Sequence, residues 1–312
     1  MKNSFDNLSP LDGRYSHYTS ELAKYFSEAA LIKVRFEIEI DWLLFVLSDK
    51  FFYTPKLSKA SKKKILQFKA TFSSKSVQEV KKIESKTNHD VKAIEYFIRK
   101  YFEKDSTLKK FIPYIHLGLT SEDINSLSYA LMINNGKNIL LAELKKLLLQ
   151  LEKLYKQNEN IAFLARTHGQ PASPSTLGKE FYIFYRRLHG KIWTLENKTP
   201  TYAKWGGATG NYHTFDVINN KSSIIGMVER FFSNYKEVRL SIVSTQIQDH
   251  DYIAHLNHAL VRISNVIQDL NQDMWLYISN DIFKLKLNKD EVGSSTMPHK
   301  VNPIDFEIAK VI

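Results

Sequence analysis

The chain has 312 residues, 43% of them hydrophobic, and no cysteine. That is enough apolar material for more than one core, and the missing cysteine excludes disulfides, thiolate nucleophiles and Cys-based zinc sites, leaving His, Ser, Lys and carboxylates for any chemistry. The formal net charge of +11 permits an anionic partner without naming one, and with no apolar run near the roughly 18 residues of a membrane helix and no signal segment after Met1, the expected location is the cytoplasm.

Residues 1–110 read as a separate N-terminal domain of shorter helices, one with Leu31, Val34, Ile38, Trp42, Leu43 and Phe45 on its apolar side. The lysine-rich run at 61–69 has lysines on several sides of a helix and no aromatics placed to stack on bases, so a solvated face is expected and nucleic-acid binding is not. The segment from Phe111 to Asp123 holds a Pro, a Gly and a Thr-Ser pair, which marks a domain boundary, with Ser121 as candidate cap of the next helix.

Residues 111–312 read as a bundle of long helices. From Ser128 onward a stripe through Leu140, Leu144, Leu147, Leu148, Leu151, Leu154 and Tyr155 recurs at threes and fours. After a turn-rich stretch at His168 to Thr176 comes a second stripe, Leu177, Phe181, Phe184, Tyr185, Leu188 and Ile192. A third runs through Ile253, Leu256, Leu260, Ile263, Ile267, Leu270, Met274 and Ile278. At least one helix must exceed 25 residues, alternating strand patterns are scarce, and the fold class is expected to be all-α.

Polar clusters interrupt these helices at DGRY (Asp12 to Tyr15), TNHD (Thr87 to Asp90), LTSED (Leu119 to Asp123), RTHGQP (Arg166 to Pro171) and GSSTMPHKVNP (Gly293 to Pro303). Each sits at a helix end or loop, and their residue types suit phosphate and carboxylate groups. Taken singly, His89 and His116 read as hydrogen-bonded structural residues, His168 as part of a turn, and Gly293 to Ser295 as a surface loop. A metal-dependent phosphohydrolase on His250, Asp251, His255 and His258 is a further alternative, against which stands the usual role of scattered helical histidines as surface or packing residues.

Taken together, these motifs carry a resemblance. GSSTMPHKVNP is similar to the signature of the fumarase, aspartase and argininosuccinate lyase superfamily, and DGRY, TNHDVKAIEYF, TSEDINSLS, RTHGQPASPSTLGKE and GSSTMPHKVNPIDFE resemble the adenylosuccinate lyases of bacterial type. The resemblance reaches Glu307. It implies the superfamily's long-helix bundle, and a β-elimination that releases fumarate from adenylosuccinate, giving AMP, and from the succinyl-carboxamide ribotide of purine biosynthesis. Such a step needs a base for a weakly acidic proton next to a carboxylate and an acid for the leaving nitrogen.

By its place in RTHGQP, His168 resembles the family's general acid, and Ser294 its general base. Lys300 is implied to balance charge building on the substrate carboxylate, and Glu307 to support the histidine side. The binding residues carried over are Arg14, Tyr15, Asn88, His89, Asp90, Thr120, Ser121, Gln246, Ser295, Val301 and Asn302. No metal or cofactor is implied, and the family's homotetramer, with sites shared between subunits, is the expected assembly.

Two positions depart from the family pattern. Ile308 stands where relatives have an Asn, and QDHDY (Gln248 to Tyr252) replaces a Glu-Pro before the His-Asp. The family continues past this point with further binding residues and a C-terminal domain, so the expectation is an incomplete bundle with that domain absent. The competing reading is therefore a catalytically inactive helical scaffold of the same fold.

Overall fold

The computed structural model describes residues 8–285 and 301–311. These form two compact units, Met1–Leu140 with Pro200–Tyr252 and Leu141–Thr199 with Ile253–Ile312. The boundary expected near residue 110 falls inside the first unit, at a short 3-10 helix, Lys109–Tyr114.

The first unit contains α1 (Ser16–Phe26), α2 (Glu28–Val46), α3 (Lys59–Ala70), α4 (Ser74–Thr87) and α5 (Asp90–Glu103), and the start of α6 (Ser121–Gln157). It also holds β3 (Thr201–Lys204), α8 (His213–Ile218), α9 (Ile224–Phe232) and β4 (Val238–Ser241), with β3 and β4 paired in parallel. Helix α2 is buried nearly all round. One side supplies Ile38, Trp42 and Val46 to a cluster with Trp205, Phe215 and Phe231, and another supplies Ile32, Phe36, Ile40 and Leu43 to a cluster with Phe68, Phe97 and Phe102. A helix sandwiched between two cores has no polar face, which is why the single apolar side expected from its sequence understates its burial.

Trp42 anchors the first cluster, edge-on to Trp205 at 5.3 Å and to Phe231 at 5.0 Å. Its indole N–H donates to the Leu117 carbonyl at 2.9 Å, which satisfies the polar tip of a fully buried ring.

The second unit holds the rest of α6, a hairpin of β1 (Ala162–Thr167) and β2 (Gln170–Thr176), α7 (Leu177–Lys198), most of α10 (Asp251–Ser279) and α11 (Ile304–Val311). Helices α6 and α10 have 37 and 29 residues, which fulfils the expectation of helices longer than 25. The second sequence stripe is the buried face of α7, where Leu177, Phe181, Phe184, Leu188 and Ile192 are all in the core. Helix α7 meets α6 through Lys145–Glu196 at 2.6 Å and α10 through Arg187–Asp269 and Tyr277–Glu180.

Candidate functional site

In the first unit the site grows from two helix starts. Asn88 ends α4 in the left-handed region at φ 51°, a conformation a short polar side chain tolerates, and so turns the chain directly into α5. His89 is the N-cap of α5, and its Nδ1 accepts the Lys92 N–H at 3.2 Å. A ring nitrogen that accepts carries no proton, so the neutral ring holds its proton on Nε2. That Nε2 lies 3.5 Å from the hydroxyl of Ser121. Ser121 is the first residue of α6 rather than its cap, so its hydroxyl faces the histidine. Two helix N-termini, each with partial positive charge, meet through their opening side chains.

Each helix start carries a carboxylate held from behind. Asp90 accepts the Val91 N–H at 2.8 Å and pairs with Arg35 Nη1 at 2.8 Å; Arg35 is buried while Asp90 is half exposed. Burial works to raise the Asp90 carboxyl, but the Arg35 charge and the backbone N–H hold it below the usual carboxylate range. Asp123, in the first turn of α6, is fully buried. It accepts the Thr120 N–H at 2.8 Å, half of a capping box, and pairs with the fully buried Lys204 at 2.9 Å. Burial pushes the Asp123 carboxyl up, and Lys204 opposes that shift.

Lys204 also donates to the Gly207 carbonyl at 2.9 Å, while the Gly207 N–H donates to Asp123 at 3.2 Å. This ties the α6 start to a glycine-rich loop, Gly206 to Gly210. Gly207 and Gly210 have φ of 77° and 76°, and a Cβ on Gly210 would collide with the Ser244 carbonyl. The loop therefore lies directly against the segment that carries Gln246, whose side chain is exposed. Nearby, His116 is wedged between two buried glutamates, Glu39 at 2.6 Å and Glu95 at 3.8 Å. Burial works to lower its pKa, but the two carboxylates raise it above the ordinary histidine value.

Arg14 and Tyr15 sit in a turn closed by the Tyr15 N–H on the Pro10 carbonyl at 2.9 Å, with the guanidinium 5.7 Å from the Tyr15 ring centroid. Tyr15 precedes α1 as its N-cap.

In the second unit, His168 sits at the tip of the β1–β2 hairpin. Thr167 pairs with Gln170, so His168 and Gly169 alone form the turn, at φ 54° and 73°. Positive φ at both central residues is the geometry of a two-residue type I′ hairpin, where glycine is favoured second. Arg166 Nη1 closes the tip on the Gly169 carbonyl at 3.1 Å. His168 is exposed. The turn-rich reading of this stretch was right at residues 168 and 169, but both flanks are strands. Glu307, in α11, accepts the Trp275 indole N–H at 3.3 Å, and Val301 and Asn302 precede that helix half-buried. Ser294, Ser295 and Lys300 lie outside the described residues.

The structure thus brings His89, Asp90, Thr120 and Ser121 together in the first unit and links Gln246 to them through the glycine loop; His168 and Glu307 belong to the second unit. Sequence reasoning missed Arg35, Lys204 and the loop. The GGATG run was the one legible signal, since three glycines in five residues mark a backbone that must turn or approach closely. Among the described residues, no group of three or more His, Asp or Glu is arranged to hold a metal ion.

A family model described as "Lyase" matches residues 13–312. The chain is 40% identical to an adenylosuccinate lyase of Dictyostelium discoideum, over 99% of this chain and 67% of the relative. It is 41% identical to that of Buchnera aphidicola from Schizaphis graminum, over 98% and 67%, and 39% identical to that of Legionella pneumophila strain Corby, over 97% and 66%. The chain spans about two thirds of the length of these relatives. In fold it is similar to a 3-carboxy-cis,cis-muconate lactonizing enzyme from Pseudomonas putida, with TM-score 0.73 and 17% identity over 94% of this chain and 63% of that one. A fumarate lyase from Mesorhizobium sp. BNC1 gives 0.71 and 14%, over 94% and 62%. On nearly full-length identity of this order, the chain belongs to the adenylosuccinate lyase family, within the lyases.

Proposed function

We propose that the chain carries the succinyl-cleaving chemistry of its family: β-elimination of fumarate from adenylosuccinate to give AMP, and from the succinyl-carboxamide ribotide (SAICAR, giving AICAR) in purine biosynthesis. The observation that carries this reading is the meeting of two helix N-termini at His89 and Ser121, 3.5 Å apart, a place suited to a phosphate or carboxylate. In this reading Arg14, Tyr15, Asn88, His89, Asp90, Thr120, Ser121, Gln246, Ser295, Val301 and Asn302 bind the nucleotide. His168 then protonates the leaving nitrogen while Ser294 takes the proton next to the carboxylate, with Lys300 balancing the carbanion and Glu307 supporting the histidine side. A purine amine leaves poorly as an anion, so an acid on an exposed, open turn suits a substrate that must enter from outside the unit.

The expected assembly is a homotetramer in the cytoplasm. In support, the long helices of the second unit expose large apolar side chains, including Leu149, Trp193 and Val261 at 61%, 51% and 56% exposure, more than an isolated helix face needs to leave in water. No helix of the described residues is long and apolar enough to cross a membrane. Incubating the purified chain with adenylosuccinate should yield fumarate and AMP in equal amounts from a species eluting at four times the monomer mass. A tetramer that yields neither would support the inactive scaffold instead.

A further inference from the structure

Two buried cations, neither in a sequence motif, stand behind the two helix starts. Arg35 is 4% exposed, its Nε has no hydrogen-bond partner among the described residues, and its guanidinium is directed at Asp90. Lys204 is wholly buried against Asp123. Buried ion pairs are poor devices for stability, since apolar replacements of similar volume are often neutral or better. The Lys204–Asp123 pair is of that kind, while Arg35 is a buried cation whose partner Asp90 is half exposed; a buried cation behind each of two adjoining helix starts calls for another reason.

Charge supplies it. A helix N-terminus carries about +0.5 of an elementary charge, and a carboxylate in its first turn reverses that sign. Left alone, Asp90 and Asp123 would make both starts repel an anion. Arg35 cancels the first, and Lys204 cancels the second wherever the shared proton resides, because the pair is neutral as two ions or as two neutral groups. The same contacts fix register: Asp123 holds the Thr120 N–H, and Asp90 opens α5 beside His89.

We propose that Arg35 and Lys204 are positioning residues of this site, each cancelling the carboxylate at one helix start and fixing that start, so that an anionic ligand is received between His89 and Ser121. The ligand's identity rests on the adenylosuccinate reading; the positioning role does not.

The test uses the full chain and three variants: Arg35→Met, Arg35→Lys, and Lys204→Met combined with Asp123→Asn, which removes the buried pair without stranding a charge. In a calorimetric titration with adenylosuccinate, Arg35→Met and the double variant should each raise Kd about tenfold or more, the scale of one charge-assisted interaction. Arg35→Lys should restore most of the loss because the cation returns. Wild-type affinity in Arg35→Met and the double variant, or equal losses in Arg35→Met and Arg35→Lys that track a fall in melting temperature, would overturn the proposal. Should the wild-type chain not bind adenylosuccinate, the proposed function fails and two other readouts decide the positioning role. The Asp90 carboxyl, followed by carbon NMR, should titrate at higher pH in Arg35→Met than in the wild type, and the Thr120 amide should exchange faster in the double variant. Unchanged titration and exchange would overturn it.

Discussion

The two units hold their site residues by opposite means. In the first, His89 and Ser121 stand on helix starts clamped by the Arg35–Asp90 and Lys204–Asp123 pairs, with the Glu39–His116–Glu95 cluster close by in sequence and in the same unit. In the second, His168 rides an exposed two-residue turn fixed by backbone geometry and one Arg166 contact. Under the proposed function the contrast suits a division of labour, in which a seat held by buried cations orients an anion and His168 serves as the acid from an open tip. It also implies that stability and activity should separate differently in the two units.

The largest effect is expected where the clamp is broken from one side. Lys204→Met strands the Asp123 carboxyl in a fully buried position, and should destabilise the first unit by about 3–5 kcal/mol in urea unfolding. The double variant with Asp123→Asn should recover most of that loss; a single variant as stable as wild type would mean that Asp123 finds water or another partner.

A smaller cost is expected at the hairpin. Gly169→Ala places a Cβ at φ 73° with nothing within 4 Å to clash, so the penalty is backbone strain alone, about 1–2 kcal/mol, seen as local loss of amide protection in β1 and β2. Turnover should fall more than global stability does. Equal falls in both would show that the hairpin is part of the cooperative core.

The smallest effect concerns pH. Because the His116 pKa is raised in the folded state by Glu39 and Glu95 against the opposing effect of burial, its contribution is fully present below the unfolded value of 6.5 and is lost as pH rises through the folded value. The urea midpoint should therefore decline above about pH 6.5, and a His116→Gln variant should flatten the decline. A midpoint that rises over this range would contradict the assignment.

How far the sequence reveals this molecule depends on what a residue type can signal. Helix α7 was legible because one face is core and the other is solvent, so Leu177, Phe181, Phe184 and Leu188 stand out by period. The hairpin bearing His168 was not, because β1 half-buries only Phe163 and Ala165 and β2 is exposed over its first five residues, too weak an alternation to read. Helix α2 misled in the other direction: with cores on both sides, its buried Arg35 and Glu39 look in sequence like surface residues of an amphipathic helix. Of the candidate site, His89, Asp90, Thr120 and Ser121 were found through motifs, and the structure places them together. Arg35 and Lys204 were invisible, since a buried lysine or arginine differs from a solvated one only in what surrounds it.

The most direct test of this division compares His168→Gln with His89→Gln in adenylosuccinate turnover, with affinity measured separately. The account predicts that His168→Gln loses about 10²–10⁴ in kcat, the span of general acid catalysis, with Kd near wild type, while His89→Gln raises Kd. Comparable kcat in His168→Gln and wild type, or the same pattern of loss in both variants, would contradict it.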